Sequence, residues 1–208
     1  KWSDNLIPRL RLISRVYGAR SKNSTTIIPW PRHEEMFVQP NNLKNISFIS
    51  VEEENKLIRI KQGKWVVNQD IVIPRGYTLI ADSGTHLNLI NGAKILSYSA
   101  VKFIGSKARP IVISAEGSGQ GIAVLEAKDR SILQYVNFKK LTNPNKAGWM
   151  LTGAVTFYES PVTFTNVEFI NSQAEDALNI VRSEFTLENI IFRNSLSDAF
   201  DSDFSHGV

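Results

Sequence analysis

Near its C-terminus the chain writes one phrase twice: Asp176-Ala-Leu-Asn-Ile-Val, then Asp198-Ala-Phe-Asp-Ser-Asp, twenty-two residues later. A second phrase, Asn-x-x-Phe-x-Asn-Ser, begins at Asn166 and again at Asn189. A fixed period of 22 to 23 residues in β-rich text marks a solenoid. A coil of that length cannot bury its own apolar face, so it must stack on its neighbours. The repeat places Phe138, Phe169 and Phe192 at one coil position and Val136, Val167 and Ile190 at another. Asn171 and Asn194 recur where the chain turns a corner, which predicts an internal amide ladder.

Upstream the same architecture shows as short apolar runs. Leu57–Ile60, Lys64–Val67, Ile71–Ile73, Thr78–Ile80, His86–Ile90, Lys94–Leu96, Val101–Ile104 and Pro110–Ser114 are each closed by Gly, Asn or Pro. Runs of three to five residues are too short for a sandwich and too closely spaced for βαβ units. The expected fold is all-β, a right-handed parallel β-helix from 46 to 208. Residues 1–45 read as a linker or the tail of a preceding domain. Within them Leu6, Leu10, Ile13 and Val16 predict one short helix over 5–16, and 21–45 reads as loop.

Composition closes several routes. No cysteine is present, which removes disulfides, thiolate metal sites and a Cys nucleophile. No apolar run is long enough to span a bilayer. Residues 1–64 hold twelve Lys/Arg against six Asp/Glu, whereas 165–208 hold two against eight. The basic N-terminal stretch lacks the interleaved aromatics of a nucleic-acid platform, so no nucleic-acid partner is expected. The sequence opens on Lys1-Trp-Ser-Asp, with no signal core. It closes on Ser205-His-Gly-Val, in mid-coil and without a polar cap. It therefore reads as a β-helix truncated at its C-terminal end.

From Ile71 onward the chain resembles the pectate-lyase-like superfamily of right-handed β-helices. More narrowly, it resembles the β-helix domain that accompanies spore-coat-H-type kinase-like domains. The likeness is carried by Ile73-Pro-Arg-Gly-Tyr77, Gly84-Thr-His-Leu87, Leu96-Ser-Tyr-Ser99, Thr152 to Ser160, Glu175 to Asn179 and Ser197 to Phe204. It implies a β-helix that is secreted or on the cell surface, a polysaccharide or envelope glycan as partner, and a preceding kinase-like domain. The superfamily mixes lyases, hydrolases and epimerases with adhesive and scaffold domains, so the fold alone does not select a reaction.

Candidate chemistry gathers on one face. Leu178, Ile180 and Phe200 should point inward, leaving Asn179, Asp201 and Asp203 outward. Coil stacking at about 4.8 Å then sets Asn179 beside Asp201. Three readings stand open. The first is catalytic: Asp201 and Asp203 serve as acid and base on a glycosidic bond, with His206 in a His-Gly element similar to that of polygalacturonase-type enzymes. The second is calcium held by Asp201, Asp203 and Asn179, hard oxygen ligands of the kind that ion takes. The third is structural, with Asp and Asn bonding corner backbone N–H groups. Arg182, by its parity, belongs at a corner, where it would meet substrate with Asn179. Trp149, on an insertion of roughly eight residues between Thr142 and Thr152, would stack on a sugar or fold back over its coil. Gly117-Ser-Gly-Gln-Gly121 reads as a turn, and His33 and His86 as ordinary histidines. The expected function is an extracytoplasmic module that binds polysaccharide or serves as a scaffold. The alternative is a lyase, hydrolase or uronate epimerase using the Asp-rich face.

Overall fold

The computed structural model describes residues 11–15, 17–18, 20–26, 41–146 and 149–208. The chain divides into two units, Lys1–Val38 and Gln39–Val208. In the first, β1 (Arg11–Ser14) pairs antiparallel with β2 (Asn23–Thr26). Four residues of the segment expected to be helical are therefore a strand. Their Leu-Ile-Ser text meets a Ser-Thr-Thr partner, a composition rich in residues that favour strands. Residues 5–10 and 16 of that expected helix, and His33, lie outside the described residues.

The second unit is a parallel β-solenoid of six coils. It opens with a 3-10 turn, Leu43–Asn45, and β3 (Ile49–Glu52), which runs antiparallel to β4 (Leu57–Ile60). Coil 1 continues with β5 (Lys64–Val67) and β6 (Ile71–Ile73). Coil 2 is β7 (Thr78–Asp82), β8 (His86–Leu89) and β9 (Ile95–Ser97). Coil 3 is β10 (Val101–Ile104), β11 (Ile111–Ala115) and β12 (Ile122–Leu125). In coil 4, β13 (Ser131–Gln134) and β14 (Val136–Lys139) precede a small hairpin, β15 (Asn145–Lys146) and β16 (Trp149–Met150), and then β17 (Gly153–Tyr158). Coils 5 and 6 are β18 (Val162–Ile170) with β19 (Asp176–Val181), and β20 (Glu184–Arg193) with β21 (Asp198–Asp203). β22 (His206–Gly207) starts the next turn. Corresponding strands pair parallel and in register on three faces, called the first, second and third sheets in chain order. The first two join through β18 and β20 into one twelve-stranded sheet, and the third has six strands.

The sequence repeat is the pairing register. Asp176 stands against Asp198, Val167 against Ile190, and Phe169 against both Phe138 and Phe192. The three phenylalanines stack with ring centroids 5.1 and 4.9 Å apart. Each buried ring contributes about 1.5–3 kcal/mol, and stacking adds roughly 0.5–1.5 kcal/mol per pair.

Corners are turned by single residues in the left-handed region. Asn166, Asn189, Asn171 and Asn194 all have φ of 54 or 55°, a conformation that asparagine tolerates better than other side chains. The amide ladder exists, with Asn194 Nδ2 donating to Asn171 Oδ1 at 3.0 Å. It is not internal as expected: Asn194 is exposed and Asn171 half-buried, because the corner turns these side chains outward.

A second column works inside the corner between the third and first sheets. The hydroxyls of Ser160, Ser183 and Ser205 accept the backbone N–H of Ala127, Ser160 and Ser183, each from one coil back, at 2.9, 2.8 and 3.1 Å. Each serine thereby satisfies a donor that the sharp turn removes from the strand ladders.

At the first coil, Asn42 imitates a neighbouring strand. Its amide donates to the Asp70 carbonyl and accepts the Val72 N–H, blunting a free sheet edge. The glycine-rich run is a bend. A Cβ at Gly121 would lie 1.7 Å from the Ala154 carbonyl oxygen, so glycine is there for close approach of two coils.

Phe169→Ala should destabilise the unit by about 3–5 kcal/mol through the cavity it leaves. Ser183→Ala should cost about 1–3 kcal/mol by stranding the Ser160 N–H. Denaturant melts of the two variants check both figures.

Candidate functional site

Outward positions of the third sheet form one column in register: Val72, Leu96, Ala123, Thr156, Asn179, Asp201. The column changes character along the axis. Its first three members are apolar and buried although they face away from the main core. Its last three are polar.

The insertion in coil 4 does not project from the solenoid. Its hairpin is tied back over earlier coils, with the Asn145 N–H donating to Gln120 Oε1, the Thr142 hydroxyl to the Gly119 carbonyl, and Lys146 Nζ paired with Asp70 Oδ2 at 3.0 Å. Asp70 also holds the buried Lys94 at 3.1 Å. Trp149 is only 7% exposed. The hydrophobic gain from folding such a large ring inward outweighs leaving it in water, so Trp149 is no open platform for a sugar.

Asn179 lies outward and beside Asp201, as stacking requires, yet it is 4% exposed rather than open. Its Nδ2 donates to Asp176 Oδ2 at 2.9 Å and to Thr152 Oγ1 at 3.0 Å, and lies 3.4 Å from Asp201 Oδ2. Gly153 makes room for this cluster: a Cβ there would stand 2.6 Å from Asn179 Cβ. The amide nitrogen thus occupies the centre of a three-oxygen cage, the position that a cation would take. Asn179 Oδ1 is buried with no hydrogen-bond partner. Among the described residues, no three His, Asp or Glu side chains converge as a metal site. Asp176 serves Asn179 rather than a corner N–H.

Asp201 is half-buried, and its Oδ1 accepts the neighbouring Ser202 N–H. Asp203 is exposed on the same face. His206 is not on that face: it lies in β22, in the first sheet, in register with Glu184. Arg182 does stand at a corner, with φ of 49°. Its Nη1 reaches the Tyr158 hydroxyl at 3.1 Å and Glu159 Oε1 at 3.4 Å. Its guanidinium lies 5.9 Å from the centroid of the exposed Phe204 ring. An open groove of about 450 Å³ runs along this corner past Glu159, Pro161, Arg182 and Glu184.

Phe204 and Glu159 are additions that strand alternation misses. Both sit at left-handed corners with φ of 52 and 47°, where the in-out alternation restarts. The recurring corner serines next to them were the available signal.

His86 faces outward on the second sheet, paired in register with Lys64. Partial burial, and then the charges of Lys64 and Lys139, hold its pKa below the usual histidine value. A depressed pKa means that the unfolded chain takes up the proton first. Stability is therefore full above the unfolded value of about 6.5 and declines as pH falls towards the folded value. Between pH 7 and pH 5 the melting temperature of the native chain should fall more than that of His86→Gln, measured in parallel scans.

The chain matches no family model, no curated protein and no solved structure. None of the helices among the described residues is long and apolar enough to cross a membrane.

Proposed function

We propose that this solenoid is an extracytoplasmic module, secreted or on the cell surface, that binds polysaccharide along the corner between its third and first sheets. One observation carries the reading. Arg182 and the exposed ring of Phe204 lie side by side on left-handed corners, next to the outward Asp201 and Asp203. Left-handed corners of this chain also take Lys56, Glu126, Lys140 and Glu159, so what sets Arg182 and Phe204 apart is an exposed ring beside a guanidinium. An exposed ring offers a C–H stacking surface, and a guanidinium with carboxylates offers hydroxyl partners. The resemblance to the pectate-lyase-like superfamily supports the ligand class. The narrower likeness adds a scaffold role beside a kinase-like domain.

Two further readings share the face. As an enzyme, a lyase, hydrolase or epimerase, the chain would use Asp201 and Asp203. As a calcium module it would turn the Asn179 amide over, so that Oδ1, now without a partner, joins the oxygens of Asp176, Asp201 and Thr152.

Affinity electrophoresis on pectate and on neutral polysaccharides, with reducing ends assayed in the same samples, tests all three. Retention without new reducing ends is expected. On pectate, Arg182→Ala and Phe204→Ala should each weaken it at least about five-fold, or roughly 1 kcal/mol. Undiminished retention in both variants would sink the reading. New reducing ends that vanish in Asp201→Asn would make the chain an enzyme. A melting temperature raised by calcium in the native chain but not in Asp201→Asn would establish the ion.

A further inference from the structure

We infer that a second ligand site, for a neutral sugar chain, lies at the corner between the first and second sheets. It rests on the glycan-binding reading for its ligand class alone; its residues are different ones. Tyr135, Asn166 and Asn189 follow Gln134, Thr165 and Glu188, which are paired in register, so the three form one column along the axis. Asn137, Glu168 and Ile191 form a parallel column on the outer face of the second sheet. Together they line a groove of about 320 Å³, bounded on one side by Lys107 and Pro110. With coils about 4.8 Å apart, the groove follows the solenoid across three of them, about 10 Å.

Within its column the tyrosine breaks a run of asparagines, as Lys140 does at the next corner, but Tyr135 sets an aromatic ring on the groove. All three corner residues are left-handed, with φ of 49° at Tyr135 and 55° at Asn166 and Asn189. Asparagine takes this conformation readily, whereas a bulky side chain there is an outlier. Nothing in turning the corner calls for a tyrosine when the next two coils use asparagine. Its ring is held in the groove at a conformational cost, which makes it a candidate for contact with a ligand.

The polar groups of the groove are also free to bind. Among its tyrosine and three asparagines, the one side-chain hydrogen bond is Asn189 Nδ2 to Asn166 Oδ1, at a long 3.4 Å. The Tyr135 hydroxyl and the Asn137 carboxamide make none among the described residues. Carboxamides offer donor and acceptor together, which matches sugar hydroxyls. Tyr135, Pro110 and the partly exposed Ile191 supply apolar surface for the C–H faces. Lys107 and Glu168 contribute one charge of each sign, and Arg193 lies 3.9 Å from Glu168. The lining itself is balanced and Arg193 adds one positive charge at its edge, too little to choose an ionised chain, and a nucleic acid would find a single lysine in the lining.

Affinity electrophoresis of the full chain on hydroxyethylcellulose, xylan and galactomannan, with polygalacturonate as the charged control, tests the site. At least one neutral polymer should retard the protein. Tyr135→Asn should lose at least ten-fold in affinity while its melting temperature holds or rises, since asparagine suits the corner better. Asn137→Ala removes an amide that holds no hydrogen bond, and should lose several-fold with the fold intact. Tyr135→Asn should keep native retention on polygalacturonate, which separates this site from the one at the other corner. No retardation on any neutral gel, or native-like retardation of either Tyr135→Asn or Asn137→Ala, overturns the proposal.

Discussion

Everything in the second unit depends on parallel strands of successive coils sharing their hydrogen bonds in register. The parallel strands of a coil have no partner within it: β18 needs β20 on one side and β13 and β14 on the other. Once pairing fixes which residue lies over which, side chains are no longer free choices. Phenylalanine stacks on phenylalanine, a corner serine meets the backbone N–H one coil back, and asparagine sits over asparagine. The stability of such an array is a sum over neighbours, so any interruption of a column marks a place where something other than stacking is at work.

The corner at Tyr135 interrupts an asparagine column, whereas the other candidate corner, through Glu126, Glu159, Arg182 and Phe204, carries no asparagine. Asparagine holds its corners at 166, 171, 189 and 194, and the fold asks nothing more of those positions. Lys56, Glu126 and Lys140 adopt the same left-handed conformation without asparagine's ease, and so do Tyr135, Glu159, Arg182 and Phe204. Two of the last four expose or wall a groove with an aromatic ring, and a third places a guanidinium beside such a ring. The outward column of the third sheet is interrupted too, passing from buried apolar to polar residues where Thr156, Asn179 and Asp201 begin.

The architecture was legible in the text because periodicity and pairing register are one fact written twice. Phe138, Phe169 and Phe192 could be aligned by eye, and parity alone set Arg182 at a corner. The site was legible only in part. Asn179 and Asp201 were placed side by side correctly, but burial of Asn179 depends on Thr152, which arrives from an insertion with no repeat to predict its path. His206 was grouped with Asp203 by proximity in sequence, whereas one corner residue is enough to carry it onto another sheet. Phe204 was missed because alternation carried on from Phe200 would turn it inward, and a left-handed turn resets that count. The helix expected over 5–16 rested on four apolar residues without caps, too little to outweigh strand pairing at 11–14.

Asp70 has a consequence for how the solenoid holds together. Coils that touch only their neighbours can open one at a time, so an array of this kind ordinarily frays in steps. Asp70 lies in coil 1, yet it holds Lys94 of coil 2 and Lys146 of the coil 4 hairpin, which is itself fastened to Gly119 and Gln120 of coil 3. Contacts that skip coils couple their opening. The first four coils are thereby joined into a single cooperative block, and the graded, zipper-like loss of structure natural to a solenoid is confined to the coils beyond the clasp.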